Sequence, residues 1–166
     1  MRKQNGFSLI ELLIVVAIIL IIAAIAIPNL LRARIAANES SAVGSTRTIN
    51  TAEVAYNSNY PTVGYAVTLP SLAGTCSGTT LPTSTSACLI DNVLGGSNTP
   101  SKSGYSFTLT NGGSTTTPQG TYEMEGKPIT SNQTGVRYFC GSNDGVVRYG
   151  STAFNNNCQS TGAPLQ

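Results

Sequence analysis

The sequence predicts an α+β protein. A long N-terminal α-helix with a protruding apolar half packs on a C-terminal head that contains an antiparallel β-sheet of about four strands. An uninterrupted apolar run from Leu12 to Ile27 precedes a second helical pattern, and strand-like segments separated by turns fill the last third of the chain. A length of 166 residues allows one compact domain with one attached element, which agrees with this division.

The apolar part of the helix is long enough to cross a membrane. The 21 residues from Phe7 to Ile27 extend about 31 Å as a helix, and the hydrocarbon core of a bilayer is about 30 Å thick. Glu11 lies inside this run, where a charged side chain costs about 2.5–3.5 kcal/mol even on the most lenient scale. Glu11 therefore requires a partner.

The helical pattern continues beyond Pro28, whose ring and missing N–H are expected to kink the helix. Apolar residues then form one narrow stripe that should face the sheet, and Tyr60-Pro61 marks the end of the helix. The stripe consists of Ile35, Ala42, Ile49 and Tyr56, with Leu31 and Ala52 beside them. The polar residues expected outside it are Arg34, Glu39, Ser41, Arg47 and Glu53.

The head begins with a region rich in Ser, Thr, Gly and Pro, residues 62–103, which is expected to form a loop. Four strand-like segments follow, and an antiparallel meander connects them most simply. The segments are residues 105–109, 121–125, 136–140 and 146–149. The turns between them are expected at Asn111-Gly112-Gly113, Gly126-Lys127-Pro128 and Asn143-Asp144-Gly145.

Charge and composition argue against several classes of function. Nine basic residues against seven acidic ones do not make a nucleic-acid-binding field. The absence of histidine removes the usual general base and zinc ligand, so no catalytic residue, metal or cofactor is expected. A membrane-anchored enzyme or binding protein would offer Glu123, Glu125 and Asp144 as acids, but these positions fit solvated strands and a turn.

The four cysteines, Cys76, Cys88, Cys140 and Cys158, lack the close paired spacing of a zinc site. Disulfides in an oxidising compartment fit better, and this places the C-terminal part outside the cytoplasm. Three pairings are possible; joining sequence neighbours, Cys76 with Cys88 and Cys140 with Cys158, closes two short loops and needs the least topology.

The junction between the polar N-terminus and the apolar run carries the most specific signal. A short basic leader ends at Gly6, Phe7 follows, and Glu11 is the fifth residue from Phe7. In these three positions the chain resembles the type IV pilin and pseudopilin superfamily, and it is most like a type IVa major pilin. The resemblance implies that a prepilin peptidase cleaves between Gly6 and Phe7 and methylates the new amine of Phe7.

The resemblance also implies a division of the chain into segments and two successive locations of the subunit. Residues 1–6 form the leader, 7–28 the transmembrane and filament-core half of the helix, 29–60 its amphipathic half, and 61–166 the globular head. The subunit is first a single-pass protein of the bacterial inner membrane with a periplasmic head. The inner-membrane assembly machinery then polymerises it with other pilin subunits into an extracellular pilus, in which Glu11 pairs with the Phe7 amine of an adjacent subunit.

Two alternatives to a pilin remain, and the duty of the filament is also open. A pseudopilin of a type II secretion system shares the same N-terminal features, but only Asp144 is acidic after Glu125, which is too few ligands for the calcium site of major pseudopilins. An ordinary secretory signal peptide is suggested by Ala24-Ile25-Ala26, although the long apolar run and Glu11 oppose it. Adhesion, motility and DNA uptake are all open as duties of the filament.

Overall fold

The computed structural model describes residues 7–74 and 81–165 and contains a long helix, an antiparallel sheet and short helical turns. The α+β prediction is confirmed. The elements in chain order are α1 (Leu9–Asn59), α2 (Leu69–Leu72), α3 (Asn92–Gly95), β1 (Ser101–Lys102), β2 (Tyr105–Thr110), β3 (Glu123–Pro128), β4 (Tyr138–Ser142), β5 (Arg148–Gly150), α4 (Cys158–Thr161) and β6 (Ala163–Pro164).

The chain forms two compact units, one that ends at Arg34 and one that begins at Ile35. In the first unit the described residues belong almost entirely to α1, and the large apolar side chains are exposed, from 43% for Leu31 to 81% for Phe7. The helix continues through Pro28. The kink expected at this proline remains a prediction.

The sheet of the second unit is a meander in which every strand pairs antiparallel with the next along the chain. It has six strands in the order β1 to β6, so the expected number of about four was low. The two additional strands, β1 and β6, are two-residue edge strands. Such short edges present few unpaired backbone groups, which protects the sheet from edge-to-edge association.

The expected turn at Gly126-Lys127-Pro128 is wrong, because all three residues belong to β3 and pair with β2. Gly126 lies opposite Phe107, whose ring is 3.0 Å from the place of a Cβ atom on this glycine. The glycine therefore accommodates an aromatic ring inside the sheet and does not mark a turn. Pro128 is at the end of the strand, where a proline is tolerated.

One hydrophobic core joins the second half of α1 to the sheet and to the loop region. The expected stripe is confirmed at Ala42, Ile49, Ala52 and Tyr56, which are all buried. Ile35 is only half-buried and Leu31 is exposed, so the buried stripe begins later than expected. From the head, the core receives Leu69, Leu72, Leu94, Tyr105, Phe107, Tyr122, Met124 and Phe139.

Two carboxylates expected outside the stripe, Glu39 and Glu53, are also buried on α1. They are buried beside the stripe because this helix contacts loops as well as the apolar face of the sheet. Polar side chains along α1 bind the backbone of one loop after another. In chain order, Asn38 donates to Thr134 O, Glu39 accepts from Val136 N and Arg137 N, Asn50 donates to Gly145 O, Glu53 accepts from Ala66 N, and Tyr56 donates to Ser84 O.

Candidate functional site

The N-terminal end of α1 carries the first candidate site. The helix begins at Leu9, so Ser8 is the N-cap residue and Glu11 is the third residue of the helix. The Ser8 N–H donates to Oε2 of Glu11 over 3.0 Å. This is the carboxylate half of a capping box, in which the third residue satisfies the backbone of the cap.

This local role is not among the roles predicted above for Glu11, although the Ser8-x-x-Glu11 spacing is typical of a capping box. The hydrogen bond fixes the carboxylate next to the first turn, where the helix dipole also favours a negative charge. A carboxylate has two oxygens and about four acceptor positions. Glu11 can therefore cap its own helix and still accept a cationic donor from outside.

Phe7 precedes this turn and is 81% exposed, whereas Gly6 lies outside the described residues. The structure therefore places the residue after the expected cleavage bond but not the bond itself. Phe7 lies just before the helix, and Glu11 lies in its first turn. Ser8, which follows Phe7, donates its backbone N–H to the Glu11 carboxylate.

Behind this turn lies an apolar surface that other parts of the described chain do not cover. Helix α1 is long and apolar enough to cross a membrane, and its most apolar stretch is entirely unburied. Ile10, Leu13 and Ile21, for example, are 61–64% exposed. An apolar surface of this size requires lipid or other protein chains around it.

The C-terminal end of the head carries the second candidate site. A disulfide joins Cys140 in β4 to Cys158 at the start of α4, with 5.9 Å between the Cα atoms. The expected pairing of these two cysteines is confirmed. The other expected pair, Cys76 with Cys88, includes Cys76, which lies outside the described residues.

Two carboxylates of β3 hold the backbone inside this disulfide loop. Oε2 of Glu123 accepts from Cys158 N and Oε2 of Glu125 accepts from Phe154 N, each over 2.9 Å. Glu123 is buried, and this burial raises the pKa of its carboxyl above the usual value. Both acids are thus bound to backbone amides, and the expectation that they are solvated was wrong for Glu123.

Asp144 occupies the turn before β5, as the sequence predicts. Its carboxylate accepts from Ser142 Oγ and Val146 N and forms an ion pair of 2.6 Å with Arg148. The Arg148 guanidinium is the main reason that the pKa of Asp144 is below its usual range, although partial burial opposes the shift. The three acids considered for catalysis therefore serve the disulfide loop and its turn.

Possible metal ligands do not gather in the part of the chain that the structure describes. Residues 7–74 and 81–165 contain no cluster of three or more His, Cys, Asp or Glu side chains that could hold a metal ion.

Comparison with known proteins addresses the N-terminal site. Residues 1–27 match the family described as the prokaryotic N-terminal methylation motif. The chain therefore carries this N-terminal methylation motif. It is also similar to the type IV wide pilus major component PilA4 of Thermus thermophilus, with 65% identity over 40 residues.

The similarity to this pilin is confined to a short segment. The aligned region covers 24% of this chain and 30% of the PilA4 protein. No solved structure matches the chain. The predicted resemblance to type IV pilins is confirmed on the N-terminal segment. The comparisons do not extend to the head.

Proposed function

We propose that this chain is a pilin, the structural subunit of a type IV pilus, and not an enzyme. The observation that carries the proposal is the methylation motif over residues 1–27 on a helix whose apolar surface is uncovered. The matched Thermus protein is named as a major pilus component, which supports the structural role. Cleavage between Gly6 and Phe7 and methylation of the Phe7 amine by a prepilin peptidase are part of the same proposal.

Before assembly, residues 7–28 anchor the subunit in the inner membrane. The exposed apolar side chains of α1 fit a lipid environment. The head, residues 61–166 with the amphipathic residues 29–60, then lies in the periplasm. The disulfide between Cys140 and Cys158 supports this orientation, because disulfides persist in oxidising compartments.

After assembly, the same apolar surface packs against copies of itself in the core of an extracellular filament. Lipid is exchanged for protein, and Glu11 pairs with the Phe7 amine of an adjacent subunit. In a dry core this charge-assisted contact sets the axial register of the subunits. The proposed partners are other pilin subunits, the prepilin peptidase and the inner-membrane assembly machinery.

Mass spectrometry of the mature N-terminus from filaments sheared off whole cells tests the proposal. N-methylated Phe7 in the sheared fraction is expected. N-methylated Phe7 found only in the cell envelope would contradict an extracellular pilus and support a type II secretion pseudopilin. An N-terminus at Ile27 would contradict a pilin altogether and identify an ordinary secretory signal peptide.

A pair of leader variants sharpens this test. Gly6→Val places a branched side chain at the bond to be cut and is expected to leave the leader attached. Asn5→Ser changes the preceding residue and serves as the matched control, with normal processing. Equal processing of both variants would contradict the proposed cleavage position.

The filament serves adhesion, motility or DNA uptake. The head offers only a few basic residues, Lys102, Lys127, Arg137 and Arg148. Three of them are already in ion pairs, with Asp91, Glu39 and Asp144 respectively for Lys102, Arg137 and Arg148. Binding of sheared filaments to DNA over a salt series separates uptake from the other duties, because phosphate contacts make the affinity strongly salt-dependent.

A further inference from the structure

Glu53 is a buried acid that the proposed function does not use. It lies on α1 in the core of the head and is 0% exposed. One carboxyl oxygen, Oε2, accepts from the Ala66 N–H over 2.9 Å. The other, Oε1, is buried and has no hydrogen-bond partner among the residues that the structure describes.

Among the described residues, no basic side chain forms an ion pair with Glu53. The titratable groups on which a Glu53 charge acts are Tyr56, on the same helix, and Tyr122, which precedes β3. Tyr65 packs against Tyr122 with ring centroids 4.9 Å apart. The ion pairs of the described residues involve other acids. Burial and then the Glu53 charge raise the pKa of both Tyr56 and Tyr122, so these phenols remain neutral below pH 10.

An ionised carboxylate is costly in this position. A buried charge without a counter-ion loses its hydration, and a single backbone N–H does not replace it. Burial raises the pKa of Glu53 to about 8, and the hydrogen bond from Ala66 offsets only part of the effect. The neutral acid is the form that suits the core.

We propose that Glu53 is a proton-linked switch of head stability: the folded head holds this carboxyl protonated at neutral pH, and rising pH weakens the packing of α1 against the segment around Ala66. This goes beyond the proposed pilin function, because it makes the strength of the subunit depend on the pH of its surroundings. It requires no ligand and no second chain.

The sign of the effect follows from proton linkage. The unfolded chain releases the proton near 4.5 and the folded head near 8, so the folded state binds more protons between these values. The contribution of Glu53 to stability is therefore greatest below pH 4.5, falls as the pH rises towards 8, and changes no further above it. Within this window the unfolding equilibrium constant rises by up to about tenfold per pH unit.

The experiment uses the full chain in detergent micelles with its disulfides intact. Denaturation by guanidinium at pH 5, 6, 7 and 8 is followed by the near-ultraviolet circular dichroism of the tyrosines, which all lie between Tyr56 and Tyr149. In the wild type the denaturation midpoint is expected to fall steadily over this range. Glu53→Gln keeps the shape of a neutral acid and is expected to flatten that dependence.

Glu123→Gln is the matched control, because burial also raises the pKa of Glu123 and this acid contributes to the same slope. The Glu53→Gln slope must be flatter than the Glu123→Gln slope. Equal slopes in the wild type and Glu53→Gln would overturn the proposal.

A second measurement on the wild type keeps the test decisive if Glu53→Gln fails to fold. With glutamate labelled by ¹³C at its carboxyl carbon, the carboxyl resonances are recorded between pH 4 and 9. One glutamic acid is expected to remain protonated at pH 7 and to titrate above it, and this titration is expected to persist in Glu123→Gln. Titration of every glutamate below pH 6 would overturn the proposal.

Discussion

The Glu11 carboxylate has two roles: it caps its own helix, and in the proposed filament it pairs with an adjacent subunit. The structure gives Glu11 a partner in its own chain, the Ser8 amide, and the proposed filament gives it a second, the Phe7 amine of a neighbour. Both partners are donors, so the two roles are compatible. A capping bond is moreover worth about 0.5–2 kcal/mol, which does not by itself explain a charged group in an apolar run.

The first prediction separates these roles. Glu11→Gln keeps an oxygen that can accept from Ser8 but loses the charge, whereas Glu11→Ala loses both. Both variants are expected to be cleaved and membrane-inserted, and both are expected to lower filament yield by about tenfold or more, since a hydrogen bond to a charged group is worth about 1.5–3 kcal/mol. Immunoblots of membranes and of sheared filaments measure the two steps.

Ser8→Ala serves as the control for Glu11, because it alters the cap residue without removing the carboxylate. Its filament yield is expected to stay near that of the wild type. Normal filament yield from both Glu11 variants would refute the pairing role, and a loss shared equally by Ser8→Ala would assign the effect to the helix end.

Buried acids mark the limit of prediction from sequence at this scale. The seven-residue repeat correctly identified Ala42, Ile49 and Tyr56, because helical periodicity is a local property. It could not identify Glu39, whose donors are the amides of Val136 and Arg137 and the Arg137 guanidinium. These donors lie nearly a hundred residues away, and they hold the pKa of Glu39 below its usual value although burial acts in the opposite direction.

At the scale of elements, the sequence predicts the antiparallel meander correctly but not the ends of its strands. Alternating residues correctly indicated β2, whereas β3 begins and ends later than expected. Turn-forming residues at 126–128 predict a strand boundary, but the pairing of β3 with β2 and β4 overrides their local preference. Strand ends depend on partners that are distant in sequence, and local patterns do not contain them.

The second prediction concerns the contact between α1 and β4. A methyl group added at Gly141 overlaps the side-chain amide of Asn50. That amide is held by Tyr122, which donates to it over 3.1 Å, and by its own bond to Gly145 O over 3.3 Å. Gly141→Ala is therefore expected to lower the free energy of unfolding by about 1–3 kcal/mol, measured by guanidinium denaturation.

Gly120→Ala is the matched control, because a methyl group there meets no atom within 4 Å. It is expected to change the free energy of unfolding by less than about 0.5 kcal/mol. In an Asn50→Ala background, Gly141→Ala is expected to become nearly neutral, since the overlapping group is gone. A cost of Gly141→Ala that is unchanged in that background would show that the strain has another source.

At the scale of the whole molecule, the two units have different physical requirements. The described part of the first unit has almost no buried side chain. The second unit has a large core and a smaller hydrophobic cluster of Phe154 with the disulfide of Cys140 and Cys158. The helix of the N-terminal unit could be predicted from the sequence because its apolar residues form one contiguous run. The loops of the head could not, because polar residues of α1 hold them from far away in the chain.

The last prediction follows from this difference. A chain of residues 29–166, exported to an oxidising compartment, retains every buried core residue, since the first of them is Ala42. This chain is expected to be soluble, monomeric and as thermally stable as the head of the full chain to within about 5 °C. Size-exclusion chromatography and near-ultraviolet circular dichroism measure this. The matched control is the chain of residues 7–166, which keeps the exposed apolar side chains and is expected to require detergent. A fragment that aggregates or loses its tyrosine signal would show that the head depends on the N-terminal residues, and a detergent-independent 7–166 chain would contradict the proposed membrane stage.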